Sequence, residues 1–268
     1  MKVQFNKYQA NGNDFIIVKL DAEQKIYFTP QIIQRLCNRH FGIGADGLFI
    51  ITPSKQYDFN LDYYNSDGSW ETFCGNGSRC AILFMSNYLK KNTMLTFKTG
   101  SGLFSGKLNN NSSVLLQFQM PIYKSDLLNI HGVKGYFINS GAKHFVCESK
   151  ILDDDYVYNT AQKIRYAKKF QPNGINVNFY KRLNTSTIEI KTYEKGIEQI
   201  MTSCSSGSAA VVFHLSQKSL IKSPVTTISP GGHLKYTYNK NWSKFICKGD
   251  AKISFRGKFN LKNYQSDN

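Results

Sequence analysis

Alternating apolar and polar residues, interrupted by stretches with helical spacing, run through the whole chain. Residues 2–8 alternate, which predicts a strand with one buried face. At 30–40, Ile32, Ile33 and Leu36 recur at helical spacing after Pro30, a residue suited to a first helical turn, so a helix is predicted there. Further strands are predicted in the first half at 15–18, 48–51, 59–64, 94–98, 102–108 and 114–119.

The second half repeats this pattern. Its predicted strands cover 135–138, 145–148, 174–180, 187–193, 226–228, 234–238, 245–248 and 251–257, and a helix is predicted at 158–166. Each half also contains one helix that is apolar on most sides, 78–89 in the first and 207–218 in the second. A helix without a polar face is buried. The expected fold class is therefore α+β, with two pseudo-symmetric domains that each wrap a mostly antiparallel sheet around a central helix.

The predicted domain boundary falls near residues 120–121. The first domain, 1–119, carries Cys74, and the second, 120–255, carries Cys204, with a tail at 256–268 that is able to pack back on the first half. A length of 268 residues suits two domains of this size.

Two cysteines stand in matching contexts, Cys-x-x-Gly-Ser, at an offset of 130 residues (204 − 74). Other pairs recur at the same offset: Phe15 and Phe145, Gly44 and Gly174, Asp46 and Asn176, Tyr63 and Tyr193. The two halves therefore read as a duplicated fold, which would direct both thiols at one cleft.

Composition excludes several classes of protein. Hydrophobic residues make up 41% of the chain, which is enough for packed cores. There is no apolar window of about 20 residues for a membrane span, and the start alternates like a strand rather than a signal peptide, so we expect a cytoplasmic protein. In that compartment the six scattered cysteines are expected to be free thiols. No local spacing predicts a metal site.

The formal net charge is +16, which raises the hypothesis of nucleic-acid binding. The lysines are dispersed rather than clustered, so no nucleic-acid partner is expected, and a basic field that attracts a small anionic substrate explains the charge as well.

The motif Gly-x-Gly-x-x-Gly at 42–47 follows a predicted helix and precedes a strand. Dinucleotide binding requires the reverse order, so a tight loop is the better interpretation.

The paired cysteines suggest chemistry. A thiol at a helix N-terminus meets free N–H groups, which lower its pKa and also bind a carboxylate. Two such thiols on opposite faces of an amino acid could invert its α-carbon, one removing the proton and the other delivering one. The alternative is that both are buried structural cysteines. His144 and Glu194 could hold or orient a thiol proton, or be a core histidine and a solvated strand end.

Several segments resemble the diaminopimelate epimerase family. They are 7–15 (KYQANGNDF), 42–47 (GIGADG), 65–69 (NSDGS), 74–80 (CGNGSRC), 174–177 (GINV), 193–196 (YEKG) and Gly231-Gly232. The resemblance covers residues 7 to about 235, and its Cys-Gly-Asn-Gly-x-Arg-Cys block is highly specific.

The resemblance implies a cofactor-independent enzyme in which the two cysteines face each other across an interdomain cleft. It implies that Cys74 and Cys204 are the catalytic acid and base, and that His144 and Glu194 tune them. It also implies a set of substrate-binding positions: Asn13, Asn65, Gly75, Asn76, Asn176, Glu194, Lys195, Ser205 and Ser206.

The second half departs from the family pattern. Ala142 replaces a binding Asn, Lys195 replaces an Arg that helps to hold the distal carboxylate, and Ser205-Ser206 replace Gly-Thr. Lysine offers a point charge where arginine offers a two-pronged contact, although Lys143 could add compensating charge.

Three functions remain open. The first is epimerisation of LL-diaminopimelate to the meso form in lysine and peptidoglycan precursor synthesis. The second is racemisation of another amino acid, such as histidine, by the same thiols. The third is a non-catalytic basic binding module on the same scaffold. The partner expected is a small amino acid, with no nucleic acid and no membrane, and a homodimer is among the states that the sequence allows.

Overall fold

The computed structural model describes residues 1–110 and 112–265. Four α-helices occur among them: α1 (Pro30–Cys37), α2 (Gly75–Leu89), α3 (Asp154–Arg165) and α4 (Ser205–Gln217). The strands up to residue 130 are β1 (Lys2–Ala10), β2 (Asn13–Lys19), β3 (Gly47–Thr52), β4 (Phe59–Asn65), β5 (Trp70–Glu71), β6 (Leu95–Thr99), β7 (Gly102–Leu108), β8 (Ser113–Phe118), β9 (Ile122–Tyr123) and β10 (Leu128–Ile130). Those that follow are β11 (Val133–Asn139), β12 (Lys143–Glu148), β13 (Asn176–Arg182), β14 (Thr187–Glu194), β15 (Gln199–Met201), β16 (Val225–Ser229), β17 (Gly232–Tyr238), β18 (Phe245–Asp250) and β19 (Lys252–Asn260).

The chain divides into two compact units. The first combines residues 1–116 with the C-terminal segment from residue 250, and the second is Gln117–Gly249. The predicted tail at 256–268 extends beyond the described residues at 266–268. Within residues 1–110 and 112–265, no helix has both the length and the apolar character needed to cross a membrane.

In the first unit, strands surround helix α2. Strand β1 lies between β2 and β19 and is antiparallel to both. Strand β2 is parallel to β3, β3 is antiparallel to β4, β4 is parallel to β6, and β6 is antiparallel to β7. Helix α2 contacts β1, β2, β3, β7 and β19, and its first nine residues are all buried. This arrangement confirms the prediction of a sheet wrapped around a buried helix.

The second unit follows the same plan. Strand β12 is parallel to β13, β13 is antiparallel to β14, β14 is parallel to β16, and β16 is antiparallel to β17. Even the register repeats at the 130-residue offset, since Leu95 pairs with Gly106 and Val225 pairs with Tyr236. Helix α4 contacts β12, β13 and β17, and only its last two residues are not buried. The fold class is thus α+β, with parallel strand pairs within each mostly antiparallel sheet.

Several predicted element bounds were wrong. Helices α2 and α4 begin at Gly75 and Ser205, three and two residues before the predicted starts at 78 and 207, because the preceding cysteine acts as the N-cap. Helix α1 ends at Cys37 rather than 40, and α3 begins at Asp154, capped by the Asp153 side chain, rather than at 158. The short strands β5, β9, β10 and β15 were not predicted because two or three residues carry no periodicity.

Candidate active site

Each cysteine of the repeated motif caps the helix that follows it. Cys74 has extended backbone angles (φ −136°, ψ 116°), and its Sγ accepts a hydrogen bond from the Gly77 N–H at 3.5 Å. Cys204 has nearly the same angles (φ −137°, ψ 105°), and its Sγ accepts from the Gly207 N–H at 3.4 Å. Both thiols therefore meet the positive end of a helix through a backbone N–H, as the sequence predicted.

Close packing explains the glycine three residues after each cysteine. A Cβ at Gly77 would lie 1.9 Å from Cε2 of Phe49, and a Cβ at Gly207 would lie 2.0 Å from Oδ1 of Asn178. Neither position accepts a side chain without displacing a buried neighbour, so the motif needs glycine for space.

Three amides and a buried arginine support the first helix turn. Asn76 Nδ2 donates to Asn13 Oδ1 at 3.2 Å, and Asn13 Nδ2 donates to Asp46 Oδ2 at 2.6 Å. Nη2 of Arg79, a fully buried side chain, donates to Asn76 Oδ1 at 3.0 Å and to Asn11 Oδ1 at 2.8 Å. Sequence reasoning missed this role of Arg79, although the residue lies within the specific Cys-Gly-Asn-Gly-x-Arg-Cys block.

A charge cluster lies behind Asn13. The Asp14 carboxylate forms ion pairs with Lys7 Nζ at 2.7 Å and with Arg39 Nη2 at 2.7 Å. Arg39 Nη2 forms a further ion pair with the Asp46 carboxylate at 2.7 Å. Lys7 Nζ also donates to the Gly44 carbonyl. Burial on its own would raise the pKa of Asp14, but the hydrogen bonds from Arg39 and Lys7 outweigh it and lower the pKa to about 2. The segment 42–47, interpreted from the sequence as a tight loop, anchors this cluster through the Gly44 carbonyl and Asp46.

Asn65 and Gly75, two further predicted binding residues, are both buried in the first unit. Asn65 Nδ2 donates to Ser69 Oγ at 3.3 Å, whereas its buried Oδ1 has no hydrogen-bond partner among the described residues. A buried amide oxygen without a partner is rare, and a ligand N–H is one group that would satisfy it. Gly75 is the first residue of α2, where helix N–H groups are not used within the helix.

In the second unit, a chain of buried polar side chains leads to Cys204. Cys204 Sγ lies 3.5 Å from Ser206 Oγ, which lies 2.9 Å from Nε2 of His144. Nδ1 of His144 is 3.0 Å from Asn178 Nδ2, and Asn178 Oδ1 accepts from Thr192 Oγ1 at 2.9 Å. The structure thus connects His144 to Cys204 through Ser206. Asn178 and Thr192 were missed, since an isolated buried amide and hydroxyl carry no recognisable spacing.

The pKa of Cys204 runs against the expectation from helix geometry. Burial and the negative charge of Glu194 raise the pKa of this thiol to about 12, although the Ser206 hydroxyl and the N–H groups of Ser206 and Gly207 act to lower it. Burial also lowers the pKa of His144 to about 3, so its imidazole is neutral near pH 7. Desolvation, which a sequence pattern does not show, outweighs the helix end here.

Asn176 holds two lysine-bearing segments together. Its Nδ2 donates to the Lys143 carbonyl at 3.1 Å, and its Oδ1 accepts from the Lys195 N–H at 2.8 Å. The nitrogen and the oxygen of the side-chain amide of this predicted binding residue are therefore both hydrogen-bonded to backbone groups. Glu194, half-buried at the end of β14, is near enough to act electrostatically on Cys204.

The first two residues of α4 are fixed by hydroxyl groups. Tyr236 OH donates to the Ser205 carbonyl at 2.7 Å, and Ser140 Oγ donates to the Ser206 carbonyl at 2.7 Å. These bonds set the direction of the first helix turn.

Among residues 1–110 and 112–265, no three His, Cys, Asp or Glu side chains are grouped as a metal site requires. All six cysteines, each within these residues, are free thiols.

Solved structures with the same architecture include racemases and epimerases. A probable proline racemase from Agrobacterium radiobacter K84 has a TM-score of 0.74 at 14% identity, covering 97% of this chain and 93% of the other. A hydroxyproline epimerase from Agrobacterium vitis has a TM-score of 0.71 at 12% identity, covering 96% of this chain and 92% of the other. At these identities the likeness defines the fold that the chain shares with such isomerases.

The sequence comparisons define the family. The sequence pattern of the family described as diaminopimelate epimerase matches residues 5–120. The diaminopimelate epimerase of Flavobacterium psychrophilum is 35% identical over 259 residues, covering 93% of this chain and 97% of the relative. That of Aquifex aeolicus is 30% identical over 272 residues, covering 96% and 97%. The chain belongs to the diaminopimelate epimerase family and is therefore an isomerase of the amino acid epimerase class.

Proposed function

We propose that the protein converts LL-diaminopimelate to meso-diaminopimelate, using Cys74 and Cys204 as a two-thiol acid and base. The relatives named for this activity match the chain over nearly their whole lengths. The observation that carries the proposal is the repeated helix cap, in which each cysteine accepts the N–H of a glycine three residues later. This activity assigns the protein to lysine and peptidoglycan precursor synthesis in the cytoplasm.

The reaction balances with the two thiols alone. A thiolate accepts the α-proton, so that the C–H bond breaks, an S–H bond forms and the electron pair stays on the α-carbon next to the carboxylate. The second thiol then gives its proton to the opposite face, forming the new C–H bond and becoming a thiolate. Burial and the charge of Glu194 raise the pKa of Cys204, which keeps this thiol protonated in the absence of substrate and suits it to donate a proton to the α-carbon.

The positive ends of α2 and α4, where backbone N–H groups point out of the helix, are suited to hold the substrate's α-carboxylate. For the distal end of the substrate, we propose that Lys143 and Lys195 act as a pair. Asn176 bonds to the backbone of both residues, which keeps two cationic side chains on neighbouring segments. Two point charges would thus replace the guanidinium that other family members use, and a second carboxylate is the group they would select.

The test is α-proton exchange in heavy water. Enzyme and LL-diaminopimelate incubated in D₂O should yield the meso form with deuterium at the inverted α-carbon, followed by NMR and mass spectrometry. Cys74→Ala and Cys204→Ala should each abolish inversion, because each removes one of the two proton carriers. Cys37→Ala, which removes a buried thiol of α1, is the matched control and should retain inversion.

Inversion that persists in either single variant would reject the two-thiol mechanism. A panel of other amino acids, including histidine, tests the substrate separately. Exchange at the α-carbon of another amino acid in preference to diaminopimelate would retain the thiol chemistry and reject the substrate.

A further inference from the structure

The side chain of Asn178 can be oriented from its neighbours. Its Nδ2 lies 3.3 Å from the Phe145 carbonyl, which can only accept a hydrogen bond. Its Oδ1 receives the hydroxyl of Thr192 at 2.9 Å. The Phe145 carbonyl therefore identifies the nitrogen end of the amide, and the Thr192 hydroxyl donates to the oxygen end, so Asn178 presents an N–H donor to His144.

This orientation determines the tautomer of His144. Nδ1 of the ring lies 3.0 Å from the Asn178 donor and must therefore accept, which leaves the ring proton on Nε2. The ring is neutral, because burial lowers the pKa of His144 to about 3. Nε2–H then donates to Ser206 Oγ at 2.9 Å. His144 thus acts as a donor toward the cysteine rather than as a base that removes its proton.

Ser206 continues the same donor-to-acceptor direction toward Cys204. Its oxygen accepts from His144, so its own hydroxyl proton remains available for Cys204 Sγ at 3.5 Å. The four hydrogen bonds all run the same way, from Thr192 to Asn178, to His144, to Ser206 and to the sulfur. Donors arranged in series polarise one another, and the last bond strengthens when its acceptor becomes charged.

We propose that Ser206 is a positioning residue whose hydroxyl, oriented by His144, stabilises the Cys204 thiolate that forms when this thiol gives up its proton. The inference deepens the proposed function, on which its catalytic meaning rests. It assigns a direction to the chain: His144 acts through Ser206 by donating a hydrogen bond, and Asn178 and Thr192 set the tautomer that makes this donation possible.

The charged and titratable surroundings of this thiol bear on any measurement of its acidity. Glu194 on β14 acts against the thiolate through its negative charge. From β12, the titratable group is His144, which reaches the thiol through Ser206. The backbone N–H groups of Ser206 and Gly207 add fixed positive dipoles from α4. Replacing Ser206 leaves all of these in place.

The test measures thiolate formation without substrate. The protein is alkylated with iodoacetamide at several fixed pH values below the thiol pKa, and labelling of the Cys204 peptide is followed by mass spectrometry. The alkylation rate follows the thiolate fraction. Losing one hydrogen bond to a charged acceptor should reduce this rate about tenfold in Ser206→Ala. Cys74, labelled in the same samples, is the internal reference and should not change.

Two variants control for structural damage. Ser206→Thr keeps the hydroxyl and should keep the rate of Cys204 alkylation near that of the parent. Ser208→Ala removes a buried hydroxyl of the same helix that takes no part in the series of hydrogen bonds from Thr192 to Cys204. Its rate of Cys204 alkylation should also match that of the parent. An unchanged Cys204 rate in Ser206→Ala would overturn the proposal, as would a parallel change at Cys74.

The histidine tautomer offers an independent measurement. Nitrogen NMR of the His144 ring should show an unprotonated Nδ1 near neutral pH, and a protonated Nδ1 would overturn the directed chain. Neither readout involves turnover. A protein that fails to epimerise diaminopimelate but shows both results would reject the proposed function while retaining this inference.

Discussion

The fully buried His144 predicts that the second unit loses stability in mild acid. Its folded pKa is about 3, against an ordinary value of 6.5. Between these values the unfolded chain binds a proton that the folded chain excludes, so the free energy of unfolding falls as the pH falls. The stabilisation is complete above about pH 6.5 and is lost progressively on the way to about pH 3. The perturbation is His144→Gln, which keeps a polar amide but cannot titrate.

The magnitude follows from the pKa difference. Each pH unit within the window costs about 1.4 kcal/mol, so lowering the pH from about 7 to about 5 should remove about 2 kcal/mol through His144 alone. Burial also lowers the pKa of His214 to about 4, which adds a similar loss to both proteins. The variant should lack only the part due to His144, even if it is less stable at neutral pH. The prediction therefore concerns the difference in slope between the two proteins rather than their stability at a single pH.

The chain contains two tryptophans, which makes the assay specific to one unit. Trp70 is 48% exposed in the first unit, and Trp242 is 6% exposed in the second. In a Trp70→Phe background, urea unfolding followed by tryptophan fluorescence reports on the second unit. His131→Asn, at an exposed position of the second unit, measures the effect of losing an imidazole from the surface. Equal pH slopes in the parent and in His144→Gln would refute the reasoning.

Three further outcomes are expected. Gly77→Ala should lower the free energy of unfolding by about 1–3 kcal/mol in thermal melts, because its Cβ would overlap Phe49. Arg79→Met should cost about 1–3 kcal/mol in urea titrations, because the amide oxygens of buried Asn76 and half-buried Asn11 lose their donor; equal stability would argue against this role. Lys143→Ala and Lys195→Ala should raise KM for diaminopimelate about tenfold in steady-state assays, with kcat less affected, as for the loss of a contact with a charged group; an unchanged KM would reject the lysine pair.

The duplicated plan was predictable from the sequence, and the reason is physical. Positions that require glycine or cysteine keep the same spacing in both halves. The matched Cys-x-x-Gly-Ser segments therefore reveal the duplication. The apolar character of α2 and α4 likewise predicted that strands would surround them. Their starting residues were not predictable, because cysteine is not among the usual N-capping residues and only the backbone angles reveal its role.

The supporting polar groups were harder to predict. Asn178 and Thr192 occupy buried positions on β13 and β14, where their partners come from segments distant in sequence. Periodicity indicates which face of a strand is buried but not which amide meets which ring. The same limit explains the error for Cys204, since the helix end is visible in the sequence whereas the desolvation of the thiol depends on tertiary packing.

The pairing of β1 with β19 inverts the order in which the two halves can be completed on the ribosome. β1 needs Lys252–Asn260 as its neighbour, so the half that is synthesised first keeps an unpaired sheet edge until this strand has been translated. The second unit is continuous from Gln117 to Gly249 and has all its own residues by then. The nascent protein therefore completes its later half first, and a ribosome that stalls before residue 252 releases a chain with an open edge prone to aggregation.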